Sequence, residues 1–200
     1  MDKIKDLDLI FLIDRSGSMY GSEDDTIGGF NSFIEKEKLK EGNTKVTTIL
    51  FDHDYEMLYK RKSIDEVDKL TRDEYYVRGS TALLDAIGKT ITSLDKEIDN
   101  NVLFVITTDG MENSSLEFSK SQIRSMIQNH NWEFIFIGAD IDSYSEAGNI
   151  GIKKSRIANY ERSSRGVEKL YSSIDAASSC LRKNVSLDNG KWKKDLDEFD

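Results

Sequence analysis

The sequence predicts a doubly wound α/β fold: a mostly parallel central sheet with one antiparallel edge strand, and helices on both faces. Two observations carry this. Three short apolar runs, Leu7 to Ile13, Val102 to Thr107 and Trp132 to Ile137, are nearly continuous rather than alternating, as strands covered on both faces are. Between them, apolar residues recur at spacings of three and four, and strands alternating with such amphipathic helices build parallel sheets through crossover connections.

Taken in order, Leu7 to Ile13 is a central strand, and Ile27, Phe30, Phe33 and Ile34 form the apolar face of the first crossover helix. Val46 to Phe51 and Tyr55 to Tyr59 flank Asp52-His53-Asp54, a polar link short enough for a hairpin, which supplies the antiparallel edge strand. Leu84, Ile87, Ile91, Leu94 and Ile98 line a second helix. Val102 to Thr107 and Trp132 to Ile137 are further central strands. Ile152 to Ala158 is the weakest element, readable as a last edge strand or as loop. Val167, Leu170, Tyr171, Ile174 and Leu181 share one face of the final long helix. In this architecture the loops at the carboxyl ends of the strands gather along one edge, where a binding site is expected.

The length of 200 residues suits one domain, placed at residues 1–186. Residues 187–200, rich in charge, are expected to be a mobile or solvated tail, with Trp192, Asp195, Asp197 and Glu198 exposed. Hydrophobic residues make up 38% of the chain, enough for a core and against wholesale disorder. Lys and Arg number 28 against 37 Asp and Glu, a net charge of −9 that repels a phosphate polymer, so nucleic acid is not an expected partner. The longest apolar runs, Leu9 to Ile13 and Val102 to Ile106, fall far short of the roughly 20 residues that span a bilayer. With acids scattered through Met1 to Asp6 where a signal peptide needs an apolar stretch, a cytoplasmic location is expected. The single cysteine, Cys180, lies in a helical pattern and reads as a buried, inert thiol. Proline is absent, leaving Gly, Asn, Asp and Ser to make the turns.

Directly after the first strand comes Asp14-Arg15-Ser16-Gly17-Ser18, a carboxylate and two hydroxyls on one turn. Oxygen ligands of this kind suit a hard cation. In isolation the better reading is ordinary turn and capping chemistry, but two other segments reach the same edge. Thr107-Thr108-Asp109-Gly110 ends a strand with a second carboxylate, and Gly79-Ser80-Thr81-Ala82-Leu83 places a threonine hydroxyl at the start of a helix.

Over roughly residues 7–185, this combination resembles the von Willebrand factor A domains, whose metal-ion-dependent adhesion site (MIDAS) joins D-x-S-x-S to a distant Thr and a distant Asp. Gly29-Phe30-Asn31 and Gly138-Ala139-Asp140 resemble stretches of small bacterial and phage members. The resemblance implies that Ser16 and Ser18 ligate a metal directly, Thr81 directly or through water, and Asp14 and Asp109 mostly through water. It implies Mg²⁺, with Mn²⁺ as a substitute, and a protein partner that presents an Asp or Glu to the ion's outward position. Met19, Tyr20 and Met111 are second-tier candidates for apolar contact with that partner, packing of the loops being the equal alternative.

Asp52, Asp54, Asp140 and Asp142 also fall near strand ends but read as turn residues, and His53 as a solvent-facing hairpin residue. Tyr75 and Tyr76 read as core. Two alternative functions stay open. A Mg²⁺-dependent phosphoryl-transfer enzyme would also place aspartates at strand ends, although Ser16 stands where a dehalogenase-like phosphatase needs its second carboxylate and no G-x-x-x-x-G-K-[ST] segment occurs. A metal-free scaffold that oligomerises through its helices is the other. Catalysis is not expected.

Overall fold

In a computed structural model that describes residues 6–98 and 101–197, the apolar runs form strands β1 (Leu7–Asp14), β2 (Thr44–Phe51), β3 (Tyr55–Ser63), β4 (Asn101–Thr108), β5 (Glu133–Gly138) and β6 (Ile157–Asn159). Among the described residues they make one six-stranded sheet of order β3-β2-β1-β4-β5-β6. β3 pairs antiparallel with β2, and every other pairing is parallel. Helices α1 (Glu23–Lys38), α2 (Leu83–Leu94), α3 (Lys120–Asn129) and α4 (Ser143–Asn149) lie between strands, and α5 (Ser164–Arg182) follows β6. The expected fold class is therefore the observed one.

The period of two along a strand divides the core into two layers. From β1, Leu7, Leu9, Phe11 and Ile13 face the layer with Phe30 and Phe33 of α1 and Leu170 and Ile174 of α5. Ile10 and Leu12 face the opposite layer, with Ile87 and Ile91 of α2 and Ile123 and Ile127 of α3. Phe11 meets Phe30 and Phe33 edge-on, with ring centroids 5.3 Å apart in each case. All eight residues of β1 are buried, which explains why its sequence is apolar up to the aspartate that ends it except at Asp8, which pairs with Arg61 at 2.9 Å.

The pairing order reverses direction at β1 and β4, whose neighbours extend outward on opposite sides. At such a switch point the loops leaving the two adjacent strands diverge and leave a crevice outside their carboxyl ends. Asp14 and Asp109 stand at that crevice. No helix among the described residues is long and apolar enough to cross a membrane.

Four details differ from the sequence reading. β6 is confined to Ile157–Asn159, because Lys154–Arg156 form a short 3₁₀ turn and Ile152 is buried from a loop. α2 stops at Leu94, although Ile98 beyond it is still buried. Cys180 is only half-buried. The largest difference is at the C-terminus, where residues 187–197 pack on the domain instead of forming a solvated tail. Leu187, Trp192 and Leu196 are buried, at about 1.5–3 kcal/mol for each fully buried leucine-sized side chain. A short helix, α6 (Lys194–Asp197), follows Trp192, whose indole N–H donates to the Ser155 carbonyl at 2.9 Å. Lys193 donates to the Ile157 carbonyl of edge strand β6 at 2.8 Å. The charge of this segment obscured three anchoring apolar side chains. Glu198 and Met1 to Lys5 lie outside the described residues.

Candidate metal centre

The loop leaving β1 turns sharply because Asp14 organises it. Its Oδ1 accepts the Ser16 backbone N–H at 2.6 Å, and its Oδ2 accepts the Thr108 hydroxyl at 2.5 Å. Register explains the second bond: Ile13 pairs with Thr107, so Asp14 and Thr108 are the next residues on adjacent strands. Behind them, buried Tyr75 donates its hydroxyl to the Asp14 carbonyl oxygen at 2.7 Å.

Thr81 is delivered by a loop tied at both sides. Gly79, at φ 68°, adopts a left-handed turn that costs glycine little, and its carbonyl accepts the Gly17 N–H at 3.0 Å. The Thr81 N–H donates to the Asn113 side chain at 2.9 Å, while the Asn113 N–H donates to the Thr81 carbonyl at 3.0 Å. Thus the loops after β1, before α2 and after β4 are bonded to one another.

Their side-chain oxygens converge. The Ser16 and Ser18 hydroxyls lie 3.0 Å apart. A methyl group placed on Gly110 would lie 2.6 Å from Thr81 Oγ1, 3.0 Å from Ser18 Oγ and 3.2 Å from Ser16 Oγ. Three hydroxyl oxygens from two loops therefore surround a cradle above a glycine of a third, and glycine is required there because a Cβ would fill it.

Asp109 adjoins this cradle. Its side chain is fully buried, yet neither carboxylate oxygen makes a hydrogen bond of full geometry. Burial pushes its carboxyl above the ordinary aspartate range, against the opposing pull of the Ser18 hydroxyl and the Arg162 guanidinium. Burial also raises Asp14, to about 6, despite its hydrogen bonds from Thr108 and Ser16 and with a smaller contribution from the Asp109 charge. Tyr160 is pushed upward too, first by burial and then by Asp109. Buried carboxylates left this poorly compensated are costly unless a cation joins them. An all-oxygen donor set with neutral hydroxyls and two acids has the chemistry that Mg²⁺ or Mn²⁺ takes.

The structure thus brings Asp14, Ser16, Ser18, Thr81 and Asp109 to one crevice. It separates the second-tier candidates. Met19 is 2% exposed and belongs to the core with Phe30 and Phe33, so it offers no contact surface. Tyr20 and Met111 are 78% and 58% exposed at the rim. Tyr75 is core as expected, whereas Tyr76 is exposed, its ring 5.0 Å from the Arg15 guanidinium and 5.5 Å from that of Arg78. Four residues at the site were missed from sequence: Thr108, Gly110, Asn113 and Arg162. Thr108 and Gly110 flank Asp109, so the strand-end reading could have found them; Asn113 and Arg162 carried no signal.

A second acidic group lies nearby. Ligand atoms of Asp52, His53 and Asp54 fall within 4.8 Å of one another, a spacing that could hold an ion. Its charge is already matched, however: buried Asp52 pairs with Arg15 at 2.9 Å and Arg78 at 3.0 Å, and Asp54 with Arg78 at 2.9 Å. Asp142 caps α4 by accepting the Ser145 N–H at 3.0 Å.

No curated protein matches the sequence. Among solved structures, proximal thread matrix protein 1 from the mussel byssus, with zinc in its MIDAS motif, superposes at a TM-score of 0.67 with 16% identity, over 90% of this chain and 47% of that one. The manganese-loaded TRAP protein of Plasmodium vivax gives 0.62 with 19% identity, over 80% and 70%. The pilus adhesin SpaC of Lactobacillus rhamnosus GG gives 0.68 with 14% identity, over 91% and 30%. The chain spans about half the length of the mussel protein. At these identities the likeness is one of fold. The family description for the von Willebrand factor type A domain matches residues 8–173, which covers both strand-end aspartates, the hydroxyl cradle and the sheet that aligns them, and the chain belongs to that family.

Proposed function

We propose that this chain is a metal-dependent protein-binding module that captures an acidic side chain of a partner protein. Ser16, Ser18 and Thr81 would hold Mg²⁺, or Mn²⁺ in its place, with Asp14 and Asp109 acting mostly through water. The ion supplies an electrophilic point for a carboxylate, because neutral hydroxyls offset little of its charge. The chain's own residues do the positioning. Asp14 fixes the β1 loop through the Ser16 N–H, Thr108 orients Asp14, and Asn113 clamps the Thr81 loop. Exposed Tyr20 and Met111 are the apolar surface that a partner's flanking residues would cover.

The observation that carries this reading is the cradle of three hydroxyls above Gly110, beside a buried Asp109 carboxylate without a hydrogen bond. The metal-loaded mussel and Plasmodium structures, similar in fold, are consistent with it. Titration calorimetry with Mg²⁺ and Mn²⁺ tests the site, and recovery of bound protein in Mg²⁺ against recovery in chelator tests capture. A flat titration with both ions overturns the proposal, as does recovery indifferent to chelator. A phosphoryl-transfer role has no comparable support: Ser16 stands where a dehalogenase-like phosphatase needs its second carboxylate.

A further inference from the structure

Arg162 lies on the loop between β6 and α5, immediately before Ser163, whose hydroxyl caps α5 by accepting the Gly166 N–H at 3.0 Å. Its guanidinium reaches back across the sheet edge. Nη2 donates to the Tyr20 carbonyl at 3.0 Å, Nε stands 3.5 Å from Asp109 Oδ2, and Nη1 stands 3.7 Å from Asp140 Oδ2. One side chain therefore touches the loops after β1, β4 and β5. Asp140 holds its place in a left-handed conformation, φ 53°, which is costly for a residue with a side chain. The contact with Asp109 is close enough for charge attraction but too long for a hydrogen bond, so the guanidinium lies beside the carboxylate without satisfying it.

We infer that Arg162 is a tethered competitor of the divalent ion: its positive charge neutralises Asp109 when no metal is bound and must withdraw when one enters, so that Arg162 sets the metal affinity of the site. This rests on the metal-binding reading above. Two cations cannot share the buried carboxylate without repulsion, and a 31% exposed side chain on a loop has solvent to move into.

The test compares wild type, Arg162→Gln and Arg162→Ala by Mn²⁺ and Mg²⁺ titration calorimetry, together with thermal melts in chelator. Arg162→Gln removes the charge while keeping a donor for the Tyr20 carbonyl. Both variants are expected to bind the ions about tenfold more tightly than wild type. Both should melt lower than wild type in chelator and gain more from added metal, since a ligand of the folded state stabilises in proportion to its affinity. Arg162→Lys should stay near wild type. Equal affinities in all four proteins overturn the competitor while leaving the metal site standing. Weaker binding in both charge-removing variants overturns it in favour of a loop-bracing role. If none of the proteins binds either ion, the metal reading itself has failed and the competitor with it.

Discussion

Two acidic clusters stand at the carboxyl edge of the same sheet and solve the problem of buried charge in opposite ways. Asp52, at the end of β2, is gripped by Arg15 and Arg78 at hydrogen-bond distance, and Arg15 is itself 1% exposed with a second partner in Glu56 at 2.6 Å. Among the described residues, Asp109, just past the end of β4, has one guanidinium at 3.5 Å and no hydrogen bond of full geometry. Both are buried aspartates at strand ends, and proximity of ligand atoms alone favours the first. Compensation decides otherwise: the first cluster is a finished ion-pair network, while the second retains charge for which the described residues provide no full partner. The proposed function puts the cation where charge is unspent, not where acids are most crowded.

Breaking each cluster should give crossed phenotypes. Asp52→Ala leaves Arg15 buried with part of its pairing lost, and removing one partner of a buried pair costs about 3 kcal/mol or more. Chemical denaturation should show that loss while Mn²⁺ binding by the folded protein stays within about threefold. Asp109→Ala should do the reverse, with stability in chelator kept or raised and ion affinity falling by the roughly 10- to 100-fold that outer-shell partners are worth. If Asp52→Ala abolished ion binding and Asp109→Ala spared it, the assignment of the two clusters would be inverted.

A subtler change sharpens the contrast without touching a carboxylate. Gly110→Ala inserts a methyl group 2.6 Å from Thr81 Oγ1, so one hydroxyl must leave the cradle. Titration should show ion affinity reduced about tenfold, with the far-ultraviolet spectrum unchanged. Unaltered affinity would place the ion elsewhere.

The smallest effect concerns the cost of Asp14. Its carboxyl is raised from 3.8 to about 6, so between those values the folded chain keeps a proton that the unfolded chain has released. Stability therefore falls as pH rises through that window, and the cost is complete above it. Asp14→Asn removes the charge but gives up one of two accepting oxygens, worth about 1 kcal/mol. In chelator at pH 7.5 it should be more stable than wild type by about 1–2 kcal/mol, and at pH 4 the gain should vanish. A gain of equal size at both pH values would show that the charge is not its source.

Much of this was legible before any coordinates. The nearly continuous apolar runs of β1 and β4 and the 3.6-residue spacing in α1, α2 and α5 encode the layers directly, because burial on both faces or on one stripe writes itself into the residue order. D-x-S-x-S, Thr81 and Asp109 were legible as a group because each abuts an element end. Met19 was not: a methionine beside a ligand loop looks the same in sequence whether it turns inward or outward, and here it turns into the core. The C-terminal segment misled for a related reason. Leu187, Trp192 and Leu196 are too sparse to form a periodic pattern, and their burial depends on a surface supplied by β6 and α5.

The order of residues by itself determined the sheet, its crossover helices and the chemical character of the oxygens that end the strands, since periodicity and residue type are local properties. Tertiary structure alone decided which aspartates remain short of a partner. That depends on where the guanidinium groups of Arg15, Arg78 and Arg162 come to rest, and Arg162 reaches Asp109 from 53 positions along the chain only because the folded sheet brings the β6–α5 loop to the edge where β4 ends.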